Sequence, residues 1–357
     1  MELIRDRKNY HSWPELSKTQ LSVFKGSRAT SGDEGAWDRN KAEFYEQVIQ
    51  GRSRVLDSDS VSVGTIVHEC LLMDRELISF CVAYPRCCYT GDTERLNSRK
   101  AKQFKRFALM PKEQRQKAFV AIPPEFVIKS GDGISTKPVA SRWKQEKQFA
   151  CPEVEFITKE ELLGFNTAMY SCDCIDAIPE FVLTQEQIKN CANCVTTLKQ
   201  SEFGKWINAS HREEPIVWSE NVYLDGSPYE FNFRCCPDFC VVLNDAVLAF
   251  DLKVTVADKP SAFARHVKKY SYWLQDAHYT KGLQSKYPEK RIEYRFLTIN
   301  PENLKYGLFA LNEYSREVAQ EERNVLLNDL ARCYVENDWT NKWTVQEHEL
   351  VLSHYDF

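Results

Sequence analysis

The spacing of apolar and polar positions changes near residue 210 of this 357-residue chain. Before that point the pattern predicts helices, two of which begin at the favourable N-cap residues Ser17 and Thr158. Beyond it, short runs rich in β-branched and aromatic residues alternate with turn residues, which is typical of strands. Strands are predicted at 216–218, 222–224, 229–234, 239–243, 246–253, 294–299 and 306–311, and helices at 41–50, 63–73, 185–207, 261–286 and 313–335. We therefore expect one integrated domain over 1–357, with a mainly helical half at 1–210 and an α/β half at 211–357.

The composition is that of an ordinary soluble globular enzyme, with 43% hydrophobic and 27% charged residues. No run approaches the roughly eighteen apolar residues that span a bilayer, and the first residues lack the apolar core of a secretory signal. We therefore expect a cytoplasmic protein without a membrane partner. The net charge of −4 decides little about nucleic acid, because local clusters of cations make the phosphate contacts.

One such cluster lies at 94–117, where nine lysines and arginines face two glutamates. It has two interpretations. The first is a helical hairpin whose charges are simply solvated. The second is a DNA-contacting arm that Phe104 and Phe107 anchor to the body of the protein.

Thirteen cysteines, an odd number, occur without a secretory signal. We expect most of them to be free thiols that act as small core residues. Cys191 and Cys194 have CxxC spacing, but no second pair follows at the distance typical of a zinc site. The cysteines therefore indicate core packing more than metal binding.

The most informative stretch runs from Phe233 to Tyr279. Asp238 lies six positions before Asn244 and Asp251 six positions after Asp245, so an antiparallel hairpin around that turn places the two carboxylates side by side. Carboxylates that close repel each other unless a cation lies between them, and Mg²⁺ or Mn²⁺ prefers such hard oxygen ligands.

Lys253 follows Asp251 by two residues, so both side chains lie on one face of the strand. There the lysine can orient or deprotonate a water, or neutralise charge that develops on a phosphate. The alternative is an ordinary hairpin with a surface ion pair, because an isolated D-x-K sequence is common by chance.

Two features of the helical half are further candidates for the site that the hairpin indicates. Ser17 and Lys18 open a helix with a hydroxyl and a cation, which suits a phosphate. His68 lies on the apolar helix at 63–73, where it is either a hydrogen-bonded core histidine or a metal ligand.

Together these residues resemble the PD-(D/E)xK nucleases, in which Pro237-Asp238 would be followed by Asp251-Leu252-Lys253. His68 upstream, Arg234 before Asp238 and Gln275-x-x-x-Tyr279 after the lysine are similar to the RecB-like branch. The similarity to RecE-type exonucleases, also called exonuclease VIII, covers almost the whole chain. It includes Tyr10-His11, 16–21, 63–68 with Leu71-Leu72, 123–126, Tyr270-Ser271-Tyr272 and 337–339.

The resemblance implies an α/β restriction-endonuclease-like core, a central mixed sheet flanked by helices, with a helical N-terminal half. It implies that Lys253 is the catalytic lysine and that two Mg²⁺ ions, or Mn²⁺ in their place, are bound. The implied metal ligands are His68, Asp238, Asp251 and the Leu252 carbonyl. Candidate DNA contacts are Gln275, Tyr279, Arg234, Tyr270, Tyr272, Arg265, Lys268, Lys269, Ser17 and Lys18.

The family degrades linear double-stranded DNA from 5′ to 3′ and leaves a 3′ single strand for a RecT-type annealing protein. The resemblance therefore implies a phage or prophage protein that releases 5′-mononucleotides and forms a ring, a tetramer or a trimer, around DNA. The basic segment at about 86–121 looks like an insertion relative to the family and can alter that oligomer. Related nucleases hold an Fe–S cluster through three late cysteines, but only Cys333 lies late here, so no cluster is expected.

Two alternatives stay open. One is a PD-(D/E)xK nuclease of a repair or defence system with another target, such as flaps, single strands or internal sites. The other is a non-catalytic DNA-binding module derived from a nuclease. The intact set of His68, Asp238, Asp251 and Lys253 argues against the second.

Overall fold

The computed structural model describes residues 14–28, 37–51, 59–91, 95–120, 148–151 and 154–340. The chain divides into two compact units, the first made of Met1–Ser58 with Leu198–Phe357 and the second of Asp59–Thr197. The expectation of one integrated domain stays a prediction. The motifs at Tyr10-His11 and 123–126 lie outside the described residues.

The described secondary structure is mainly helical before residue 210 and mixed after it. The helices are α1 Lys18–Lys25, α2 Lys41–Phe44 (continued by a π-helical turn, Tyr45–Ile49), α3 Asp59–Leu72, α4 Ser98–Ala108, α5 Lys112–Val120, α6 Lys159–Tyr170, α7 Gln185–Gln200, α8 Gly204–Ala209, α9 Pro260–Lys269, α10 Tyr272–Lys286 and α11 Glu313–Glu336. The strands are β1 Ser27–Arg28, β2 Trp37–Asp38, β3 Cys81–Ala83, β4 Gln148–Cys151, β5 Val154–Thr158, β6 Phe181–Leu183, β7 His211–Arg212, β8 Ile216–Leu224, β9 Ser227–Cys235, β10 Phe239–Val242, β11 Ala246–Val254, β12 Arg291–Ile299 and β13 Tyr306–Phe309. Short 3₁₀ turns lie at Leu77–Ser79, Arg86–Cys88 and Asp173–Asp176.

A five-stranded mixed sheet forms the centre of the first unit, in the order β13-β12-β11-β10-β7. Strand β11 pairs antiparallel with β10 and parallel with β12. Parallel neighbours need a crossover connection, and α9 with α10 supplies it. Residues 246–252 of β11 are buried without alternation, as expected for a strand covered on both faces. The predicted fold class, a central mixed sheet flanked by helices after a mainly helical half, is confirmed.

The hairpin β8–β9 forms a separate two-stranded sheet, and its buried residues share one hydrophobic core with those of the central sheet. Its turn has positive φ at Asp225 (48°) and Gly226 (82°), which is the geometry of a tight two-residue hairpin turn. Helix α10 approaches the hairpin so closely that a Cβ on Gly282 would lie 2.6 Å from the Trp218 ring and 2.7 Å from the Cys235 sulfur. The hairpin is therefore held against the helix that also reaches the candidate site.

The second unit has its own core, centred on three phenylalanines of α4 and α6. Phe104, Phe107 and Phe165 are fully buried, and the Phe165 ring lies 5.0 Å from that of Phe104 and 5.6 Å from that of Phe107. In this unit Cys172 and Cys174 form a disulfide, an exception to the expectation of free thiols. Ten other cysteines among the described residues are free, and eight of these are buried, as predicted.

Two of the predicted helices are each broken into two. The helix expected at 185–207 stops at Gln200, because the Ser201 hydroxyl bonds to the Leu198 carbonyl and accepts from the Phe203 N–H, competing with the helical backbone. The helix expected at 261–286 ends at Lys269 and restarts at Tyr272, because Ser271 takes the left-handed conformation with φ of 54°. No helix in the described parts of the chain is long and apolar enough to cross a membrane.

Candidate active site

The hairpin β10–β11 brings Asp238 and Asp251 together, as its predicted register requires. Phe239 pairs with Phe250, so the next positions along the ladder are the two aspartates. The Leu252 N–H donates to Asp238 Oδ2 at 2.7 Å, and the Asp238 N–H donates to Asp251 Oδ1 at 3.4 Å. Both residues are buried, at 8% and 4% exposure. Two carboxylates taken out of water at this spacing need nearby positive charge.

Lys253 supplies one such charge from the same strand. Its Nζ lies 3.1 Å from Asp251 Oδ2 and 5.0 Å from the centroid of the Tyr272 ring. Burial acts to lower the pKa of the Lys253 ammonium, but the Asp251 and Asp238 carboxylates outweigh burial and raise that pKa above its ordinary value. In the protein without metal, Lys253 is therefore a cation at neutral pH.

Gln275 on α10 is a second donor to Asp251. Its Nε2 donates to Asp251 Oδ2, the oxygen that also contacts Lys253. The side chain is 6% exposed. The break at Ser271 sets the direction of α10, because the left-handed residue allows α10 to begin only three positions after α9 ends. The sequence indicated that Gln275 belongs to the site, but it did not predict this break or the contact with Asp251.

Lys18 is a second lysine at this cluster. Leu16 forms a β-bridge with Phe233, its N–H bonding to the Asn232 carbonyl at 2.9 Å, and this bridge ties the start of α1 to β9. The Lys18 Nζ then donates to the Tyr270 carbonyl at 3.2 Å and lies 5.9 Å from the centroid of the Tyr272 ring. The Tyr272 ring thus has both lysines within 6 Å of its centroid.

The electrostatics of Lys18 differ from those of Lys253. Burial, followed by repulsion from Lys253, lowers the pKa of Lys18 to about 8, although Asp251 acts in the opposite direction. The sequence predicts a phosphate contact for Lys18 at a helix start, but it does not predict that this ammonium lies beside the hairpin. The sequence feature that bears on this position of Lys18 is the apolar Leu16, but its partner on β9, Phe233, is distant in sequence.

We expect Lys18→Met to stabilise the protein at pH 7 by about 1–2 kcal/mol, after allowance for the partial exposure of Lys18. The folded pKa of about 8 lies below the ordinary 10.5, so the folded state disfavours the ammonium. This cost is fully present below pH 8 and disappears as the pH rises toward 10.5. Urea unfolding of both proteins at pH 7 and pH 10 should therefore show a gain that shrinks at the higher pH. A gain of equal size at both pH values, or destabilisation at pH 7, would contradict the assignment; the exposed Lys259→Met serves as control.

The other candidate DNA contacts are spread over several environments. Arg265, Lys268 and Lys269 are exposed on α9, and the Tyr270 that follows them is 45% exposed. Ser17 is the N-cap of α1 in a capping box with Gln20, as its sequence predicts. Their contacts with DNA stay predictions.

Two candidates are built into the core of the first unit. Arg234 is only 2% exposed, and its backbone bonds to Leu16 and to His278. Tyr279 is half-buried, with its ring 5.6 Å from that of Tyr294. These positions suit residues that support the site from within, and a role in binding DNA stays a prediction for both.

His68 lies on α3 in the second unit, where it is half-buried. Asp238, Asp251 and Lys253 belong to the first unit. Among the residues that the structure describes, no group of three or more His, Cys, Asp or Glu side chains is placed to hold a metal ion. A role for His68 as a third ligand stays a prediction.

The oxygen atoms of Asp238 and Asp251 nevertheless suit a divalent cation. Both carboxylates are buried next to each other, and the hydrogen bonds within the cluster fix their positions. Hard oxygen donors of this type are the ligands that Mg²⁺ and Mn²⁺ prefer, with water completing the coordination. The residues present therefore fit the expected metal.

Comparison with known proteins adds little to this geometry. No protein-family model matches the chain, and no curated protein is similar to it in sequence. A crystal structure of a protein from Eubacterium rectale, provisionally assigned as an exonuclease, is 13% identical and has a TM-score of 0.33, with 75% of this chain and 97% of that chain covered. A crystal structure of SSO0001 is 11% identical with a TM-score of 0.23, covering 60% of this chain and 84% of that one. The cluster of Asp238, Asp251, Lys253 and Gln275 is therefore the feature that indicates function.

Proposed function

We propose that this chain is a metal-dependent nuclease that hydrolyses phosphodiester bonds of DNA, acting as a 5′-to-3′ exonuclease on linear duplexes. The observation that carries the proposal is the buried cluster in which Asp251 accepts hydrogen bonds from Lys253 and Gln275 and lies against Asp238. Asp238 and Asp251 place two buried carboxylates next to each other. Neighbouring carboxylates repel each other, and a pair of hard oxygen donors is the type of ligand that binds a divalent cation.

Each residue of the cluster has a distinct task in phosphodiester hydrolysis. Asp238 and Asp251 would hold Mg²⁺, which when bound supplies Lewis acidity and lowers the pKa of a coordinated water. Lys253 carries a positive charge beside these carboxylates, where it can orient the attacking water and stabilise the charge that develops on the phosphate oxygens. Gln275 fixes the rotamer of Asp251 by donating to its Oδ2.

The cationic role suits Lys253 better than the role of a general base. A base must be neutral before it takes a proton, whereas the two aspartates favour the ammonium form of Lys253 in the protein without metal. The Tyr272 ring, 5.0 Å from the Nζ, adds a further favourable contact for a cation.

The finer parts of the proposal rest on the resemblance to RecE-type exonucleases in the sequence motifs. They are the 5′-to-3′ polarity, the 3′ single strand left for a RecT-type annealing protein, His68 as a further ligand, and a homo-oligomeric ring around the DNA. The buried cluster supports hydrolysis of a phosphodiester and is neutral on these points.

The test is digestion of a 5′-phosphorylated linear duplex, labelled at one end at a time, with and without Mg²⁺. We expect Mg²⁺-dependent release of mononucleotides from the 5′ ends and no action on a covalently closed circle of the same sequence. Cutting of the closed circle would instead identify a nuclease with internal sites. Binding without hydrolysis in either Mg²⁺ or Mn²⁺ would identify a non-catalytic module.

A further inference from the structure

Helix α4 in the second unit has one buried face and one strongly basic face. Over 98–108 the sequence SRKAKQFKRFA buries Ala101, Gln103, Phe104, Phe107 and Ala108. Four cations are exposed on the other side: Arg99, Lys102, Lys105 and Arg106. At 100° per residue these four span an arc of about 120°, and they extend along roughly 10 Å of the helix axis.

The helix is fixed at both ends, so this basic face is a rigid surface. Asn97 caps the N-terminus by accepting from the Lys100 N–H at 3.2 Å. At the other end Arg115, itself 4% exposed, donates to the carbonyls of Ala108 at 2.9 Å and Met110 at 2.7 Å. Between the caps, Phe104 and Phe107 hold α4 against Phe165. The cations therefore occupy positions that the core of the unit sets.

Some cations in and near α4 have structural partners among the described residues, and others do not. Arg115 donates to backbone carbonyls inside the fold, Lys100 pairs with Glu161 at 3.0 Å, and Lys112 pairs with Asp176. No ion pair or side-chain hydrogen bond involves Arg99, Lys102, Lys105 or Arg106 within the described part of the chain. Three of the pairs among these four have helical spacings of three or four residues, at which like charges repel. A face that was merely solvated would gain from alternating signs, and this one has a single sign.

We propose that this basic face binds the sugar-phosphate backbone of duplex DNA, independently of base sequence and outside the cluster at Asp251. The proposal rests on the proposed function in taking DNA as the substrate. We expect the face to bind a polyanion, because four unneutralised cations on a rigid helix are complementary to a line of phosphates. The protein as a whole carries a net charge of −4, so the attraction comes from this cluster of cations and not from the overall charge.

The chemistry of the face favours duplex DNA over two other polyanionic partners, single-stranded nucleic acid and an anionic membrane. Proteins that hold single strands stack the bases on exposed aromatic rings, whereas both aromatic residues of α4 are fully buried. A helix that lies on a membrane inserts its apolar face into the lipid, whereas the apolar face of α4 is already packed in the core. A duplex backbone needs neither feature.

The test compares the wild type with a variant that carries Arg99→Gln, Lys102→Gln, Lys105→Gln and Arg106→Gln. Binding of a linear duplex is measured by fluorescence anisotropy in EDTA, which prevents cleavage, over a range of KCl concentrations. Affinity falls as salt rises, and each phosphate contact adds about 0.9 to the steepness of log affinity against log salt, so loss of four contacts should reduce that steepness by about 3–4. We expect affinity at low salt to fall on the order of 10- to 100-fold, equally for unrelated sequences.

The matched control removes the same net charge from exposed positions elsewhere, with Lys199→Gln, Lys259→Gln, Lys305→Gln and Arg332→Gln, and is expected to keep the wild-type slope. An unchanged slope in the α4 variant, or an equal loss in the control, would overturn the proposal. So would duplex binding that is retained while binding to an acidic peptide or to anionic vesicles is lost. Digestion of the duplex by wild type in Mg²⁺ separates the two proposals. If the wild type does not hydrolyse DNA but the α4 variant still shows a weaker salt dependence of binding, only the proposed nuclease activity is contradicted. If the wild type hydrolyses DNA and the two proteins show the same salt dependence, only the proposed DNA-binding surface is contradicted.

Discussion

Replacing Lys253 with methionine is expected to lower the rate of DNA hydrolysis by about 10²–10³-fold, the loss typical when one preorganised charge-stabilising group is removed. Methionine keeps most of the apolar stem and removes the ammonium that lies 3.1 Å from Asp251. Since the cation acts on charge that develops in the transition state, kcat should fall while the affinity for duplex DNA changes little. Single-turnover digestion of a linear duplex at saturating Mg²⁺ measures the effect.

Two further variants make this result specific. Lys259→Met removes a lysine exposed on the segment that follows β11 and should retain full activity. Lys253→Arg keeps the charge but replaces a compact ammonium with a planar guanidinium, so it should recover only part of the lost rate. Wild-type rates from Lys253→Met in a folded protein would remove Lys253 from the mechanism, and with it the cationic role proposed above.

The local geometry of the site could be predicted from the sequence because period and register are local properties. A tight turn at Asn244-Asp245 fixes which residues of β10 and β11 face each other, so the pairing of Asp238 with Asp251 follows from counting positions. The shared face of Asp251 and Lys253 follows from the alternation of a strand. Both predictions concern residues fewer than twenty positions apart.

The contacts that complete the cluster could not be predicted in the same way, because they depend on backbone conformation and on distant packing. Ser271 in the left-handed region breaks the helix expected at 261–286 and sets the course of α10, although serine shows no strong preference for that conformation. Lys18 reaches the site only through the bridge between Leu16 and Phe233, which are more than two hundred residues apart.

The roles of the individual cations in the basic segment also could not be predicted from the sequence. The sequence shows nine cations over 94–117, but not which of them support the fold and which are exposed. Burial and hydrogen bonds distinguish them: Arg115 supports the fold by donating to four carbonyls, whereas Lys102 and Arg106 are exposed. A structural arginine and a ligand-binding arginine look identical in a composition count, and only their surroundings distinguish them.

Replacing Asp251 with asparagine is expected to abolish both hydrolysis and the stabilisation that a divalent metal gives to the protein. Asp251 accepts from Lys253, Gln275 and the Asp238 N–H, so it is the residue through which the cluster is connected. Asparagine has nearly the same shape but loses one negative charge. Its oxygen can still accept from Lys253 and Gln275, and its NH2 group then replaces the oxygen that accepts from the Asp238 N–H. One carboxylate, Asp238, then remains near the Lys253 ammonium, so the cluster attracts a divalent cation much less strongly.

Thermal unfolding with and without Mg²⁺ measures this effect separately from activity. A ligand that binds only the folded state stabilises it by RT ln(1 + [L]/Kd), about 2.7 kcal/mol at a hundredfold excess over Kd. We therefore expect Mg²⁺ and Mn²⁺ to raise the Tm of the wild type and to leave that of Asp251→Asn unchanged. Without metal the variant should be about as stable as the wild type, because the weaker attraction to Lys253 is offset by relief of the repulsion between two buried carboxylates. Asp245→Asn, exposed in the turn of the same hairpin, should keep both the metal-induced shift and the activity. A full metal-induced shift in Asp251→Asn would place the metal elsewhere in the protein, and hydrolysis at the wild-type rate by that variant would remove the whole cluster from the chemistry.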